Sequence, residues 1–272
     1  MSFLDIFKTN QKITGKETYN FLVVAALQEE LNEFYKLEKS FSKKIEKEGG
    51  AFEIEFDLNG SRIKILTFSP NNMGMPINAT YLMDIVLKHN PIYTFMIGTC
   101  ACLNDKHQIG DVLVPDRIFS YESGKYESGK FMPDYFAHST SGKLRKQAEL
   151  LKSLKGKKMQ FSVIADEDFC SGAAVVDDIK IVAKIKKYGS RKLSGLDMES
   201  YAIACMNTLF KGEKELLVIK GISDYAKLKS DSEKKGNKEL AKKNSAKFAL
   251  QLIKHLQENT FIHDKKIKLK NS

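Results

Sequence analysis

The hydrophobic positions of the chain alternate between short continuous runs and longer helical stripes. Continuous apolar runs at 21–26 (FLVVAA), 92–97 and 216–220 are typical of strands that are buried on both faces. Between them lie segments whose apolar residues recur every three or four positions, which predicts helices. We expect further strands at 111–114, 159–165 and 193–196, and helices at 28–48, 76–89, 141–154, 175–188, 199–210 and 238–256.

Two segments depart from this alternation. Residues 52–58 and 62–68 alternate apolar and polar positions around Asn59-Gly60, which predicts a hairpin. Residues 121–137 lack periodicity and contain two copies of YESGK, so we expect a long loop there.

Strands that alternate with helices predict an α/β fold. We expect a single three-layer domain with a mixed, mostly parallel central sheet flanked by helices. No linker divides the chain, so the domain is assigned to residues 21–258. Residues 1–20 are an N-terminal extension, and residues 259–272 are a basic tail that we expect to be frayed.

Cysteine content and hydropathy favour a cytoplasmic protein. The four cysteines show neither a CxxC motif nor a Cys/His metal spacing, so reduced thiols, no metal site and no cofactor are predicted. No run of about 18 apolar residues is present, and the first 20 residues do not resemble a signal peptide. We therefore expect no membrane partner.

The net charge of +10 arises largely from lysine-rich stretches. Basic surfaces of this kind can bind nucleic acid. However, no basic motif with interleaved aromatic residues is present to stack bases. We interpret the lysines as a solvated surface and expect a small-molecule partner instead of nucleic acid.

Chemically capable side chains directly follow the predicted strands. They are Glu29 and Glu30, Thr99, Asp197 to Glu199, and Ser223 with Asp224. Ligands of such sheets bind beyond the carboxyl ends of the strands. Any one acid could simply favour the N-terminus of a helix, but acids after three separate strands indicate an active site. Two carboxyl groups with separated pKa values can act as acid and base in cleaving a glycosidic bond.

Four segments, in order, resemble parts of one enzyme family. They are ALQEEL, MIGTCACLNDKHQIGDVLV, GLDMESYAIA and VIKGISDYA. They are similar to segments of methylthioadenosine/S-adenosylhomocysteine nucleosidases, within the nucleoside phosphorylase/nucleosidase superfamily. The resemblance covers most of residues 21–255.

This resemblance implies a role for each matching residue in the chemistry. Glu30 would activate the attacking water, and Thr99 would help to hold it. Asp224 would donate a proton to N7 of the purine, and Ser223 would orient Asp224.

The resemblance also implies the residues that bind the substrate. Met198 and Glu199 would form the ribose site, with the carboxylate accepting hydrogen bonds from sugar hydroxyls. Phe169 would stack on the base, and Cys170 would contribute backbone contacts to the base edge.

Some positions depart from the family pattern. Bulkier residues, Cys100 to Cys102, replace a small Ala-Gly-Gly loop, and Lys227 replaces an acid. The segment after Lys227 carries lysines where the family places apolar contacts for a 5′ thioether. The 5′ group of the substrate therefore need not be a thioether and could be anionic.

Phosphorolysis is the chemical alternative to hydrolysis. Hexameric purine phosphorylases, which this chain resembles near MIGTCACL, have an arginine where Met96 stands. A carboxylate at Glu30 would repel phosphate, so water is favoured. Arg62 or Lys64 could still enter the site and bind phosphate.

The predicted function is a purine nucleosidase that hydrolyses an adenine nucleoside of the methylthioadenosine or adenosylhomocysteine type. A nucleosidase for AMP or ATP, with Lys125, Lys130 and the lysines of 227–235 near the phosphates, stays open. A phosphate-dependent phosphorylase and a non-catalytic nucleoside-binding module also stay open. The resemblance further implies a homodimer or higher homo-oligomer, with segment 121–137 near a neighbour's pocket.

Overall fold

The structure, a computed structural model, describes residues 19–38, 41, 45–134, 136–155, 158–226 and 231–270. Residues 231–234 and 260–270 are described by their backbone alone. Most of the predicted N-terminal extension, residues 1–18, lies outside the described residues, as do Lys227 and the end of the predicted tail.

Twelve strands of the described chain form one mixed sheet, and two more form a separate hairpin. The strands are β1 (Phe21–Ala25), β2 (Ile45–Glu46), β3 (Phe52–Leu58), β4 (Ser61–Phe68), β5 (Tyr93–Cys102), β6 (Val112–Leu113), β7 (Arg117–Ser120), β8 (Gly124–Glu127), β9 (Lys130–Pro133), β10 (Ala137–Ser139), β11 (Val163–Ile164), β12 (Asp168–Ser171), β13 (Leu193–Asp197) and β14 (Glu215–Asp224). The helices are α1 (Gln28–Tyr35), α2 (Met75–His89), α3 (Gly142–Lys155), α4 (Ile179–Tyr188), α5 (Ser200–Phe210) and α6 (Asp231–Lys270).

The centre of the sheet is parallel. Strand β1 lies between β4 and β5, and β14 also pairs with β5, all in parallel register. Strand β13 joins β5 in antiparallel orientation and continues the sheet through β12 and β7. The carboxyl ends of β1, β5 and β14 therefore meet at one edge, where the polar residues were predicted to converge.

Helices cover both faces of the sheet because the side chains of each strand alternate between two core clusters. Phe21 and Val23 of β1 pack in the cluster that includes Phe248 of α6. Leu22 and Val24 pack in the opposite cluster, which includes Ile85 of α2. The predicted α/β class with a mixed central sheet flanked by helices is confirmed.

The hairpin predicted from Asn59-Gly60 is also confirmed. Strands β3 and β4 are antiparallel, and Leu58 lies opposite Ser61. Asn59 and Gly60 both have positive φ, 53° and 78°. Such values are those of the two-residue turn that fits the twist of a hairpin.

The helix predicted at 28–48 is wrong beyond Tyr35. Ile45–Glu46 instead pairs with β3 as an edge strand. Gly49 and Gly50 follow with φ of 82° and 79°, which is incompatible with a continuing α-helix. The apolar stripe in the sequence therefore does not extend the helix, because strand pairing and these glycines fix a different backbone conformation.

The loop predicted at 121–137 is wrong as well. Strands β8 and β9 form a hairpin in which Glu127 lies opposite Lys130. The turn is Ser128-Gly129, with φ of 49° and 75°, inside the second copy of YESGK. Nearly all β8 and β9 side chains are exposed or half-buried, so no apolar alternation marked them as strands.

Other differences concern element bounds. The strand predicted at 159–165 is reduced to Val163–Ile164, and β7, β10 and β12 were not predicted. Helix α4 begins at Ile179, not at 175, because the Asp178 side chain caps it by accepting the backbone N–H of Lys180 at 2.6 Å. The last helix runs from Asp231 to Lys270, so the backbone of the tail predicted to be frayed is helical as far as Lys270.

Candidate active site

A cavity of about 150 Å³ opens at the carboxyl ends of β1, β5, β13 and β14. Six of the eight predicted site residues line it, namely Glu30, Thr99, Met198, Glu199, Ser223 and Asp224. The convergence expected from the strand ends is thus present in the structure.

Glu30 lies in the first turn of α1 and is 6% exposed. Its carboxylate accepts the backbone N–H of Thr99 at 3.0 Å and that of Leu27 at 3.2 Å. Gly98 permits this approach, because a Cβ there would lie 2.6 Å from Glu30 Oε1, and its φ of 144° also favours glycine. Burial raises the pKa of Glu30, although the charge of Lys220 and the two N–H groups oppose the rise.

Lys220 is a site residue that the sequence analysis missed. It is fully buried on β14, with Nζ 3.2 Å from Asp197 Oδ2 and 3.6 Å from Glu199 Oε2. Burial alone would lower the pKa of Lys220, but the carboxylates of Asp197, Glu199 and Glu30 outweigh burial and raise it. Lys220 is therefore a buried cation in contact with two of the acids that line the cavity.

Asp197 anchors that cation. Its carboxylate accepts the Ser171 hydroxyl at 2.5 Å and the Ser200 backbone N–H at 3.1 Å, and also contacts the Ser200 hydroxyl. These donors satisfy a carboxylate that is removed from water, as a buried charge requires. The lysine and Asp197 therefore form a fixed base for the cavity.

Glu199 connects the same cluster to helix α2. Its Oε1 accepts the backbone N–H of Gly74, the residue before α2, at 3.0 Å. Burial raises the pKa of Glu199; Lys220 opposes this rise and Asp197 adds to it. Glu199 and Glu30 are thus two carboxyl groups that share one buried lysine.

Ser223 and Asp224 reach the cavity through an irregularity at the end of β14. Ile222 lies opposite Cys100 and Asp224 opposite Ala101, so Ser223 is an extra residue in the ladder. Such bulges re-aim side chains. The Ser223 hydroxyl lies 2.7 Å from Asp224 Oδ2 and 3.2 Å from the Cys100 carbonyl oxygen, and the Ala226 N–H donates to Asp224 Oδ1 at 2.8 Å.

Phe169 and Cys170 are not among the residues that line the cavity, so their predicted contact with a base is not seen in this structure and stays a prediction. Both side chains are fully buried. The Phe169 ring packs directly over Gly195, where a Cβ would lie 2.0 Å from it. Strand β12 lies between β7 and β13, so core packing surrounds both residues. Apolar surface in the cavity comes instead from Ala101, Val176 and Leu196.

Two lysines that were not singled out border the cavity, Lys238 and Lys242 of α6. Lys242 is buried, and its Nζ lies 2.6 Å from Glu239 Oε1 and 3.5 Å from Glu29 Oε2. Lys238 is exposed. One side of the cavity is therefore bordered by cations one helical turn apart.

The lysines expected near substrate phosphates lie elsewhere or outside the described residues. Lys125 pairs with Glu127 on β8 at 3.2 Å. Lys130 lies on β9, and neither lysine borders this cavity. Lys235 is exposed and does not line the cavity. Residues 227–230 are not described, nor are the side chains of 231–234.

The basic residues considered for a phosphate site do not enter the cavity. Arg62 and Lys64 lie on β4 and pair with Glu55 at 3.5 and 3.7 Å. Lys64 also contacts Glu53 at 3.2 Å. The ion pairs hold both side chains against the β3–β4 hairpin, which explains why neither reaches the strand ends.

Three further features of the described residues bear on metal binding, membrane insertion and disulfide formation. Nowhere among them do three His, Cys, Asp or Glu side chains cluster so as to hold a metal ion. Within the same residues, every helix is too short or too polar to cross a membrane. The four cysteines are unpaired.

The family model of the phosphorylase superfamily matches residues 20–254. The chain therefore belongs to the phosphorylase superfamily. A search of curated proteins found no match.

Solved structures share the fold. Futalosine hydrolase of Helicobacter pylori strain 26695 is similar with a TM-score of 0.70 at 17% identity, over 87% of this chain and 97% of that chain. The 5′-methylthioadenosine/S-adenosylhomocysteine nucleosidase from Neisseria meningitidis, in complex with methylthio-immucillin-A, gives 0.68 at 21% identity, over 86% and 98%. A putative nucleosidase of the same kind from Borrelia burgdorferi B31, bound to adenine, gives 0.69 at 20% identity, over 86% and 98%.

Proposed function

We propose that this chain is a nucleosidase that hydrolyses the N-glycosidic bond of an adenine nucleoside. The observation that carries the proposal is the convergence of Glu30, Glu199 and Asp224 on one cavity. These are three acids from three separate strand ends, and a buried lysine lies beneath two of them. The fold shared with methylthioadenosine/adenosylhomocysteine nucleosidases supports the same reaction class.

In the proposed reaction, Glu30 accepts a proton from a water that attacks C1′ of the ribose. The C1′–N9 bond breaks, and its electron pair leaves with the base. Asp224 gives its proton to N7, so that adenine departs as a neutral molecule. The raised pKa of Glu30 suits this task, because a general base works best when its pKa approaches the working pH.

Glu199 would accept hydrogen bonds from the ribose hydroxyls. Lys220 then has a positioning role, because it lies within 3.6 Å of the Glu199 carboxylate and its charge also acts on Glu30. A cation at this place opposes proton uptake by the acids beside it, although burial still raises the pKa of both Glu30 and Glu199.

Water, not phosphate, is the proposed nucleophile. Met96, at the position where hexameric phosphorylases carry an arginine, is 1% exposed in the apolar core. The carboxylates of Glu30 and Glu199 would repel a phosphate ion placed beside them. Arg62 and Lys64 are held on the β3–β4 hairpin and do not compensate for them.

A second candidate is a nucleosidase for adenine nucleotides. One observation favours it, namely that Lys238 and Lys242 border the cavity where a 5′ substituent could extend. The Lys242 charge is already balanced by Glu29 and Glu239, so Lys238 would carry most of the attraction for a phosphate.

The experiment is a product screen with purified full-length protein. Adenosine, inosine, methylthioadenosine, adenosylhomocysteine, AMP and ATP are incubated with and without phosphate, and free base is measured. We expect adenine release without phosphate. Activity that requires phosphate would identify a phosphorylase, and release from AMP but not from methylthioadenosine would identify the nucleotide enzyme.

A non-catalytic module would give a third pattern. Adenine nucleosides would bind without turnover, and Asp224→Asn would bind them as the unchanged chain does. The cytoplasmic location and the homo-oligomeric state stay predictions.

A further inference from the structure

A second cavity, of about 350 Å³, lies between the β8–β9 hairpin and helix α4. Four aromatic rings line it, those of Phe119, Tyr121, Phe131 and Tyr188. Phe131 also contacts Tyr126, its partner on the neighbouring strand β8, with ring centroids 5.2 Å apart. Pockets for small ligands have volumes of roughly 300–1,000 Å³ and mostly apolar, aromatic linings. The size and lining of this cavity fit that class.

Both charged residues that line this cavity are cationic. Lys130 of β9 and Lys184 of α4 line it, and no acid is found among its lining residues in the described chain. Lys184 and Tyr188 lie one helical turn apart on α4, so they present an ammonium and a ring to the same space. Aromatic walls with cations at the edge are complementary to a planar aromatic molecule that carries an anionic group.

Tyr121 connects this cavity with the active-site cavity. Its hydroxyl donates to the carbonyl oxygen of Ala174 at 2.9 Å, and Ala174 lines the active-site cavity. The Tyr121 ring packs over Gly172, where an added Cβ would lie 2.1 Å from ring atom Cζ. The neighbouring Glu122 carboxylate accepts the Ala173 N–H at 2.6 Å. One wall of the active-site cavity is therefore held by a residue whose ring also lines the second cavity.

We propose that the second cavity binds a planar aromatic anion, and that its occupancy changes the affinity of the active-site cavity through Tyr121 and residues 172–176. The proposal that this cavity binds a ligand is supported by its size and lining alone. The coupling step rests on the proposed function, because it is measured through adenine binding.

Binding is tested with 1-naphthyl phosphate by isothermal titration calorimetry on the full chain. We expect one site per chain. The double substitution Lys130→Gln with Lys184→Gln should weaken binding at least about 10-fold, since two charge-assisted contacts are lost. Tyr188→Ala should weaken it by a similar factor through loss of a stacking wall. The affinity for the uncharged analogue 1-naphthalenemethanol should change less than about twofold in the double lysine variant.

Several outcomes overturn the binding proposal. These are an absence of binding, equal affinity in the double lysine variant, or a clearly changed affinity in Glu199→Gln, which would place the probe in the active-site cavity. Affinity that falls as protein concentration rises would identify a second copy of the chain as the occupant and would also overturn it. Thermal melting of each variant, compared with the unchanged chain, verifies that it is folded.

Coupling is tested by measuring the affinity for adenine with and without saturating 1-naphthyl phosphate. We expect a change of at least about fivefold, and an equal reciprocal change in probe affinity, because linkage is symmetric. Tyr121→Phe keeps the ring and removes the hydroxyl, so probe binding should persist while the coupling is lost. Coupling that is undiminished in Tyr121→Phe would contradict a connection through Tyr121. An absence of coupling in the unchanged chain would contradict the coupling itself.

The two proposals fail in different ways. If adenine does not bind but 1-naphthyl phosphate does, the proposed function fails and the second cavity stands. If adenine binds but 1-naphthyl phosphate does not, the inference about the second cavity fails alone.

Discussion

The two cavities of this protein differ in the charge that surrounds them and in the elements that build them. Glu30, Glu199 and Asp224 around the candidate active-site cavity lie at or just beyond the ends of buried strands, and Lys220 lies within one of those strands. The second cavity is lined by lysines and aromatic rings from a hairpin and a helix at the surface.

This difference has an energetic consequence. Glu30, Glu199 and Lys220 in the first region are buried and depend on fixed partners, so removing one partner leaves the others with an uncompensated cost of burial. Lys130 and Lys184 are exposed, so water replaces any contact that they lose. Substitutions should therefore have large effects on stability and turnover in the first region, and small effects on both in the second.

The largest effect is expected for Lys220→Met. It leaves Asp197, Glu199 and Glu30 without their shared cation, and breaking a buried pair of this kind costs about 3–5 kcal/mol in the free energy of unfolding. Urea unfolding measures it. As a matched control, Lys254→Met removes a partly exposed lysine paired with Glu38 and should cost less than about 1 kcal/mol. Equal losses in the two variants would contradict the assigned cluster.

The next largest effect is expected for Glu30→Gln, which should lower turnover at least about 100-fold because the base is lost. Glu33→Gln, on the same helix and paired with Lys36, serves as the control and should retain activity. Near-normal turnover in Glu30→Gln would show that Glu30 is not the general base.

The same residue predicts a pH dependence. Only the deprotonated Glu30 can accept a proton, so activity should fall as pH decreases through its pKa. Because burial raises that pKa, the fall in kcat/KM should begin above the ordinary carboxyl range. A profile with no acid limb above that range would contradict the assignment.

A smaller effect is expected for Glu199→Gln, which keeps the shape of the side chain and changes its charge. Substrate affinity and turnover should weaken together, by about 10-fold each, because the ribose contact is present in the bound substrate and strengthens during bond cleavage. The comparison of kcat and KM measures this. With a 2′-deoxy substrate, Glu199→Gln should lower kcat/KM by a smaller factor than with the ribose substrate. Equal factors for the two substrates would contradict a ribose contact.

The smallest effect is expected in the second region. Lys184→Gln should leave adenine release within about twofold of the unchanged chain when no ligand for that cavity is present. A loss comparable to that of Glu199→Gln would mean that the two cavities do not differ as described.

The part of the site that could be predicted from sequence is the part that follows strand ends. Glu30 lies in the first turn of the helix after β1, and Asp224 is the last residue of β14. Parallel strands bring such positions to one edge of the sheet. The central strands and the Asn59-Gly60 hairpin were predictable for a similar reason, because a period and a turn signal mark them locally.

The rest depends on tertiary packing. Lys220 lies within an apolar run, which predicts a strand and not a charged site. The partners of its charge come from β13 and the residues after it, which only the tertiary fold brings close. Phe169 matched a motif, but sequence did not reveal that its ring packs over Gly195 in the core. The β8 side chains are all exposed and those of β9 are exposed or half-buried, so the hairpin has no hydrophobic period to detect.

The central claim is that paired acids at the strand ends hydrolyse a nucleoside, and adenine release from methylthioadenosine in phosphate-free buffer tests it most directly. The unchanged chain should release adenine, and Asp224→Asn should do so at least about 100-fold more slowly. Asp84→Asn, which alters an exposed pair with Lys88, is the control and should match the unchanged chain. Undiminished release by Asp224→Asn would contradict the account, and so would release from no purine nucleoside at all.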